Sequence, residues 1–126
     1  MGLDQWLNRR KADGEIVEEI YWRKANFIHR YFTEYSDLDF IKSDNCTEFT
    51  VSVADLKRIK AMCEEILEFN AQPWELLPTM SGFFFGSTAY DDWYFEDVKY
   101  TKIEVEKLLN ERPLKEGEEF FYYAWY

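Results

Sequence analysis

One residue in five of this 126-residue chain is aromatic, with 11 Phe, 9 Tyr and 5 Trp. Disordered chains are poor in aromatic residues, so this content indicates a packed hydrophobic core. The length suits one domain, and no internal repeat or low-complexity linker divides residues 1–126. The sequence therefore predicts a single compact domain.

Two helices are predicted where apolar residues recur every three or four positions. The first covers about 53–69 and begins with Ser52 and Asp55, which have the spacing of a capping box. The second covers about 89–110, with Thr88 three residues before an aspartate at its start. The apolar side of this second helix is formed by Tyr94, Val98, Thr101, Val105 and Leu108.

A third helix is predicted over about 15–35, where Val17, Tyr21, Ile28 and Tyr31 follow the helical spacing. Short strands are predicted at about 47–51, 83–85 and 119–126, where β-branched and aromatic residues cluster, and residues 3–10 are expected to form a short strand or an extended arm. Turns or loops are predicted at 11–14, 36–45 and 113–117. Three main helices with a small antiparallel β-sheet define an α+β fold class.

The scarce residues exclude several kinds of site. His29 is the one histidine, and Cys46 and Cys63 are the two cysteines, too few for a four-ligand structural zinc site. Cys63 falls on the apolar side of its predicted helix, which favours a buried thiol. The sequence has no nucleophile-elbow, Walker or dinucleotide-binding motif. We therefore expect no cofactor, and a non-enzymatic role is favoured over catalysis.

The charge balance excludes two classes of partner. The net charge is −10 and the pI is about 4.6, which disfavours binding to nucleic-acid phosphates or to an anionic membrane surface. No apolar run reaches the roughly 20 residues of a membrane span. The first residues also lack the basic and apolar regions of a signal peptide, so we expect a cytoplasmic protein.

Positive charge is absent from the 38 residues between Lys60 and Lys99. The acids of this interval either form a solvated face that maintains solubility or bind a partner whose surface is basic. A magnesium or calcium site is a third interpretation, since Asp91, Asp92 and Asp97 offer oxygen ligands, but no EF-hand spacing is present. The candidate partner-binding residues are Glu64, Glu68, Asp91, Asp92, Trp93, Glu96 and Asp97.

An alternative site is a small pocket with enzymatic or nucleotide-handling chemistry. Trp22, Asn26 and His29 follow helical spacing and would share one face of the predicted helix 15–35. With Arg23 holding a phosphate or carboxylate and His29 moving a proton, they would meet the loop 82–97. The competing interpretation is that His29 has only a structural role. A third hypothesis is a structural or virion-associated oligomer held together by its aromatic residues.

Three segments carry a resemblance to a known group of proteins. They are the run LPTMSGFFFGSTAYDDWYFED at 77–97, the start MGLD, and YWRKANFIH at 21–29. Together they resemble a family of small, uncharacterised bacteriophage and prophage proteins. The resemblance implies a phage setting and supplies no catalytic residue. Small acidic phage proteins often block host machinery, so it implies an anti-defence inhibitor, with an anti-CRISPR protein that imitates DNA as the specific expectation.

Overall fold

The computed structural model describes residues 2–34, 45–82 and 85–126. It confirms a single α+β domain in which helices pack on a four-stranded antiparallel sheet of strand order β2-β1-β4-β3. In chain order the elements are β1 (Asp4–Arg10), β2 (Ile16–Arg23), α1 (Asn26–Glu34), β3 (Phe49–Val51), α2 (Val53–Glu68), α3 (Pro73–Leu76), α4 (Asp92–Glu111) and β4 (Glu119–Trp125).

The helix predicted over 15–35 is wrong in its first half, which forms the strand β2. A tight turn over 11–14, confirmed by the hydrogen bond from the Lys11 amide to the Glu15 carbonyl at 2.8 Å, folds β2 back onto β1. Gly14 supplies the positive φ of +93° that this turn requires. β2 is rich in β-branched and aromatic residues, and pairing along β1 outweighs their approximate helical spacing.

Helix α1 begins only after a break in the backbone at Lys24. This residue has φ +55°, a left-handed conformation that neither a strand nor a helix continues through. Its amide donates to the Leu3 carbonyl at 2.7 Å, which holds the junction against the start of the chain. The result is a nine-residue helix where the sequence indicated one of about 21.

The two faces of the sheet differ in their aromatic side chains. On the face that carries the core, Leu7, Ile20, Trp22 and Tyr122 are buried. On the opposite face Trp6 packs in a row between two aromatic rings, with centroid distances of 5.7 Å to Tyr21 and 6.0 Å to Tyr123. The side chains in that row are only partly covered or are exposed, as is Trp125 further along β4.

Helices α2 and α4 pack against each other and confirm two of the predicted helices. The predicted capping box at the start of α2 is present, since the Ser52 hydroxyl accepts from the Asp55 amide and the Asp55 carboxylate from the Ser52 amide. Cys63 is a buried free thiol, and burial raises its pKa to about 12. The five residues predicted for the inner face of α4 are all buried.

The start of α4 lies three residues later than predicted. Thr88 is not its cap; instead the Asp91 carboxylate accepts a hydrogen bond from the Tyr94 amide at 3.1 Å. A carboxylate at this position also interacts favourably with the positive end of the helix dipole. The segment that leads into the cap is organised by other contacts, described below.

The remaining strand predictions have mixed outcomes. The strands at 3–10, 47–51 and 119–126 are confirmed by β1, β3 and β4. Phe85 is buried without belonging to a strand, because its segment is held by side-chain contacts rather than by a strand neighbour. Phe83 and Phe84, and positions 36–44 of the predicted loop, lie outside the described residues. The four-residue helix α3 was not predicted.

Candidate functional site

The acids between Lys60 and Lys99 differ in their surroundings, and two of those on α2, Glu64 and Glu68, are paired with lysines. Glu64 lies 2.6 Å from the Lys60 ammonium one turn earlier, and Glu68 lies 2.9 Å from Lys102 on α4. The hydrogen bond from Lys60 lowers the pKa of Glu64 below its ordinary value. The partner of Glu64 is thus local, whereas packing of α2 on α4 supplies the partner of Glu68.

The acids at the start of α4 are not neutralised in this way. In the part of the chain that the structure describes, none of Asp91, Asp92, Glu96 and Asp97 has a basic nitrogen within 4.0 Å. Asp97 is partly buried, and this desolvation, together with the charges of Asp91 and Glu96, raises its pKa to about 6. This end of the helix is thus a concentrated, unpaired negative charge.

Trp93 lies among these carboxylates with its indole in solvent. It is 80% exposed, whereas its neighbour Tyr94 points into the core. Residues three and four apart are neighbours on a helix surface, so Trp93 and Asp92 both lie beside Glu96. Of the residues predicted as a partner-binding site, Asp92, Trp93 and Glu96 therefore share one surface, which we call the α4 surface.

Buried side chains fix the segment that leads into α4. The Asn26 amide donates to the carbonyls of Phe85 at 3.1 Å and Ser87 at 2.9 Å, and its oxygen accepts from the Met80 amide at 3.0 Å. Asn26 is buried, so these bonds replace those that water would otherwise make. The Tyr94 hydroxyl donates to the Leu77 carbonyl at 2.7 Å. The sequence pointed to Asn26 as a pocket residue, and the structure gives it this positioning role.

A cleft of about 440 Å³ lies between the junction of β2 with α1 and the segment 86–97. It is lined by two residues of the predicted alternative pocket, Arg23 and Asn26, and by Asp91, Trp93 and Asp97 from the predicted loop. The sequence thus brought together several of the residues that form this cleft. Lys24 also lines the cleft but was not predicted as a site residue. Its spacing placed it on a helix, and no sequence signal indicates its left-handed backbone.

Trp22 and His29, the other two residues of the predicted pocket, do not line this cleft. Trp22 belongs to β2, not to a helix shared with His29, and its indole donates to the Thr101 hydroxyl at 2.9 Å. The His29 imidazole is fully buried, with Nδ1 2.8 Å from the Tyr122 hydroxyl. A general base must reach the proton it removes, so this position does not suit His29 for acid–base chemistry in the cleft.

The Tyr122 hydroxyl joins His29 to a second buried polar residue that was not predicted. The Gln5 amide donates to Tyr122 at 3.1 Å and to the Ala25 carbonyl at 2.8 Å, while its oxygen accepts from the Ala25 amide. Gln5 has no exposed surface, and such a network specifies how the helix α1 sits on the sheet. A glutamine on a strand gives no local signal of this role.

The described residues contain neither a metal-binding cluster nor a helix suited to span a membrane. Among residues 2–34, 45–82 and 85–126, no group of three or more His, Cys, Asp or Glu is placed to hold a metal ion. Nor does any helix in those ranges have the length and apolarity needed to cross a membrane. We consider the α4 surface and the adjoining cleft as candidate sites, because each brings together several residues that the sequence singled out.

Comparisons with known proteins add no further constraint. No protein-family model matches the chain, and searches of curated proteins and of solved structures also found no match. Any proposal for the function therefore depends on the geometry and charge of the molecule itself.

Proposed function

We propose that this protein is a non-enzymatic inhibitor that binds a protein with a basic, nucleic-acid-binding surface. The observation that carries the proposal is the α4 surface, where an indole that is 80% exposed lies beside carboxylates that have no ion-pair partner among the described residues. Exposed tryptophans are frequent anchors of protein interfaces. Unpaired carboxylates around such an anchor complement a basic partner and speed association with it.

The fold favours the α4 surface over the other proposed contact residues. Glu64 and Glu68 already have lysine partners, so a basic partner would have to compete with Lys60 and Lys102 for them. Binding of a basic partner to Asp92 and Glu96 does not require an ion pair within the described residues to be broken. We therefore place the centre of the interface at the start of α4, with Glu64 and Glu68 at its edge.

We further propose that the protein acts during phage infection of a bacterium. The resemblance to phage proteins, together with the net charge of −10, supports an anti-defence role in an infected bacterium. Negative charges repeated on a rigid helix imitate the phosphates of DNA in sign and density. In this form the protein is an anti-CRISPR-like DNA mimic that occupies the DNA channel of its target.

Two double variants with equal charge change test the proposal. Asp92→Asn with Glu96→Asn removes two charges from the α4 surface, and Glu64→Gln with Glu68→Gln removes two from α2. Each tagged variant is used for affinity capture from bacterial lysate at 50 mM and 500 mM salt, with and without excess duplex DNA. We expect one basic protein that the wild type captures at low salt, that DNA displaces, and that only the α4 double variant loses.

Other results would contradict parts of the proposal. Equal loss of capture by both double variants would show that only net charge matters and would exclude the α4 surface. Capture that duplex DNA does not displace would reject DNA mimicry while leaving protein binding in place. Chemical denaturation of each variant checks that the fold is retained.

The exposed aromatic row on the open sheet face favours a second candidate, a structural or virion-associated oligomer. Trp6, Tyr21, Tyr123 and Trp125 offer the aromatic surface that obligate interfaces bury. Sedimentation velocity across a hundredfold range of concentration tests it. Self-association that Trp125→Ser abolishes would support this candidate, and a monomer throughout would exclude it.

A further inference from the structure

The cleft beside α4 presents opposite charges on its two walls. Arg23 and Lys24 line it from the junction of β2 with α1, and Asp91 and Asp97 line it from the other side. Its volume of about 440 Å³ falls in the range of small-molecule sites, about 300–1,000 Å³. The charge of this cleft is therefore mixed, unlike that of the α4 surface.

These charges do not neutralise one another across the cleft. Arg23 is paired with Asp4 at 3.4 Å, outside the group that lines the cleft. Within the described ranges, Lys24 lies more than 4.0 Å from every carboxylate, and neither Asp91 nor Asp97 has a basic partner. A molecule that carries both charges would pair with both walls at once.

The backbone brings Lys24 to one side of the cleft. Lys24 has the left-handed φ of +55°, which non-glycine residues rarely adopt. Its side chain lies against Gly86, where an added Cβ would come within 3.2 Å of the Lys24 Cβ. Gly86 itself has φ +86°, so a side chain there would be both strained and crowded.

We infer that the cleft binds a small zwitterion, with the carboxylate of an α-amino acid held by Lys24 and Arg23 and its ammonium by Asp97 and Asp91. The exposed Trp93 indole at the rim supplies a surface for the ammonium or for an apolar side chain. Asp97 is partly desolvated without a cation, so an arriving ammonium would stabilise its charged form. This inference is independent of the protein-binding function.

Chemical-shift titration of the ¹⁵N-labelled full chain tests the inference. The probes are L-phenylalanine, L-leucine and L-arginine, and the single-charge controls are N-acetyl-L-phenylalanine and L-phenylalaninamide. We expect saturable shifts in residues 23–26 and 86–97 with at least one free amino acid. The two controls should bind at least tenfold more weakly, because each lacks one of the two charges.

Variants separate the cleft from the neighbouring surface. Asp97→Asn should weaken binding of the amino acid at least tenfold, and so should Lys24→Asn, since asparagine tolerates the left-handed backbone. The matched control Asp92→Asn, one position outside the cleft, should leave binding unchanged. Absence of saturable shifts with all three amino acids would overturn the inference, as would equal binding of the single-charge controls. The amino-acid titration needs no protein partner, so its failure is distinguishable from failure of the α4 surface.

Discussion

The α2 acids and the α4 acids come from one stretch of sequence without positive charge, yet they have different surroundings. Glu64 and Glu68 are paired with lysines, one from their own helix and one from α4. Asp92 and Glu96 have no such partner in the described structure. An acidic stretch of sequence therefore does not by itself define an acidic surface, because lysines at its edge and on another helix can pair with its carboxylates.

The largest expected difference between the two regions concerns their exposed aromatic residues. Trp93→Ala should weaken binding of the captured partner about 30-fold, or 2 kcal/mol, because an interface anchor is lost. Phe69, at the end of α2, is 74% exposed and provides the matched control. Titration calorimetry with the purified partner measures the affinity of both variants. An equal loss of affinity for Phe69→Ala would show that Trp93 is not a specific anchor of the interface.

A second difference in stability is expected between variants of two adjacent acids, the helix cap Asp91 and its neighbour Asp92. Asp91→Ala should lower the free energy of unfolding by about 1 kcal/mol, because the Tyr94 amide loses its acceptor. Asp92→Ala should lower it by only about 0.3 kcal/mol, the lower end of a helix-dipole contribution. Urea denaturation at pH 7 compares the two, and similar losses would show that Asp91 does not act as a cap.

A smaller effect is expected in the pH dependence of stability, with opposite signs in the two regions. The pKa of Asp97 is raised to about 6 in the folded state, so ionised Asp97 opposes folding at pH 7 and its protonation favours folding as the pH falls. The pKa of Glu64 is lowered, so its charge stabilises the fold at pH 7 and that contribution is lost in acid.

Two variants that replace a carboxylate by an uncharged amide test whether each carboxylate stabilises or destabilises the fold. Asp97→Asn should unfold at higher urea than the wild type at pH 7, and Glu64→Gln at lower urea. The Asp97 difference should shrink as the pH falls through 6 towards 4, whereas the Glu64 difference should shrink only below pH 4.5, the ordinary pKa of that carboxyl. A stabilising Glu64→Gln at pH 7 would contradict the ion pair with Lys60.

The smallest expected effect concerns the ion pairs themselves. Glu68→Gln should cost about 0.5 kcal/mol or less, because its pair with Lys102 is exposed to solvent. Glu96→Gln should cost nothing, since no cation lies within 4.0 Å of it among the described residues. Repeating the urea denaturations in 1 M NaCl should remove the difference between the two variants.

Capping and periodicity predicted α2 and α4 because both are local signals. Ser52 and Asp55 bond to each other's backbone within three residues, and the five inner residues of α4 follow directly from the helical repeat. The start of α4 was misplaced because Thr88 and Asp91 both suit a cap. Only the contacts of the preceding segment decide between them, and those come from Asn26 and Tyr90.

The error over 15–35 has a different physical origin. Val17, Tyr21 and Ile28 satisfied a helical spacing, but pairing with β1 determined the structure of the first half. Such pairing involves residues that no local window contains. The same limitation applies to the candidate pocket: Arg23 lines the cleft from β2 rather than from the predicted helix, and His29 lies in the core beside Tyr122, 93 positions away.

The pairing of β1 with β4 has a consequence for how the chain is made. Gln5 bonds to Tyr122 across a separation of 117 positions, and β1 lies between β2 and β4 in the sheet. The hairpin of β1 and β2 therefore leaves the ribosome long before β4 exists to complete the sheet. During synthesis the unpaired side of β1 is open to other strands, so productive folding waits for β4 and is slow relative to helix formation.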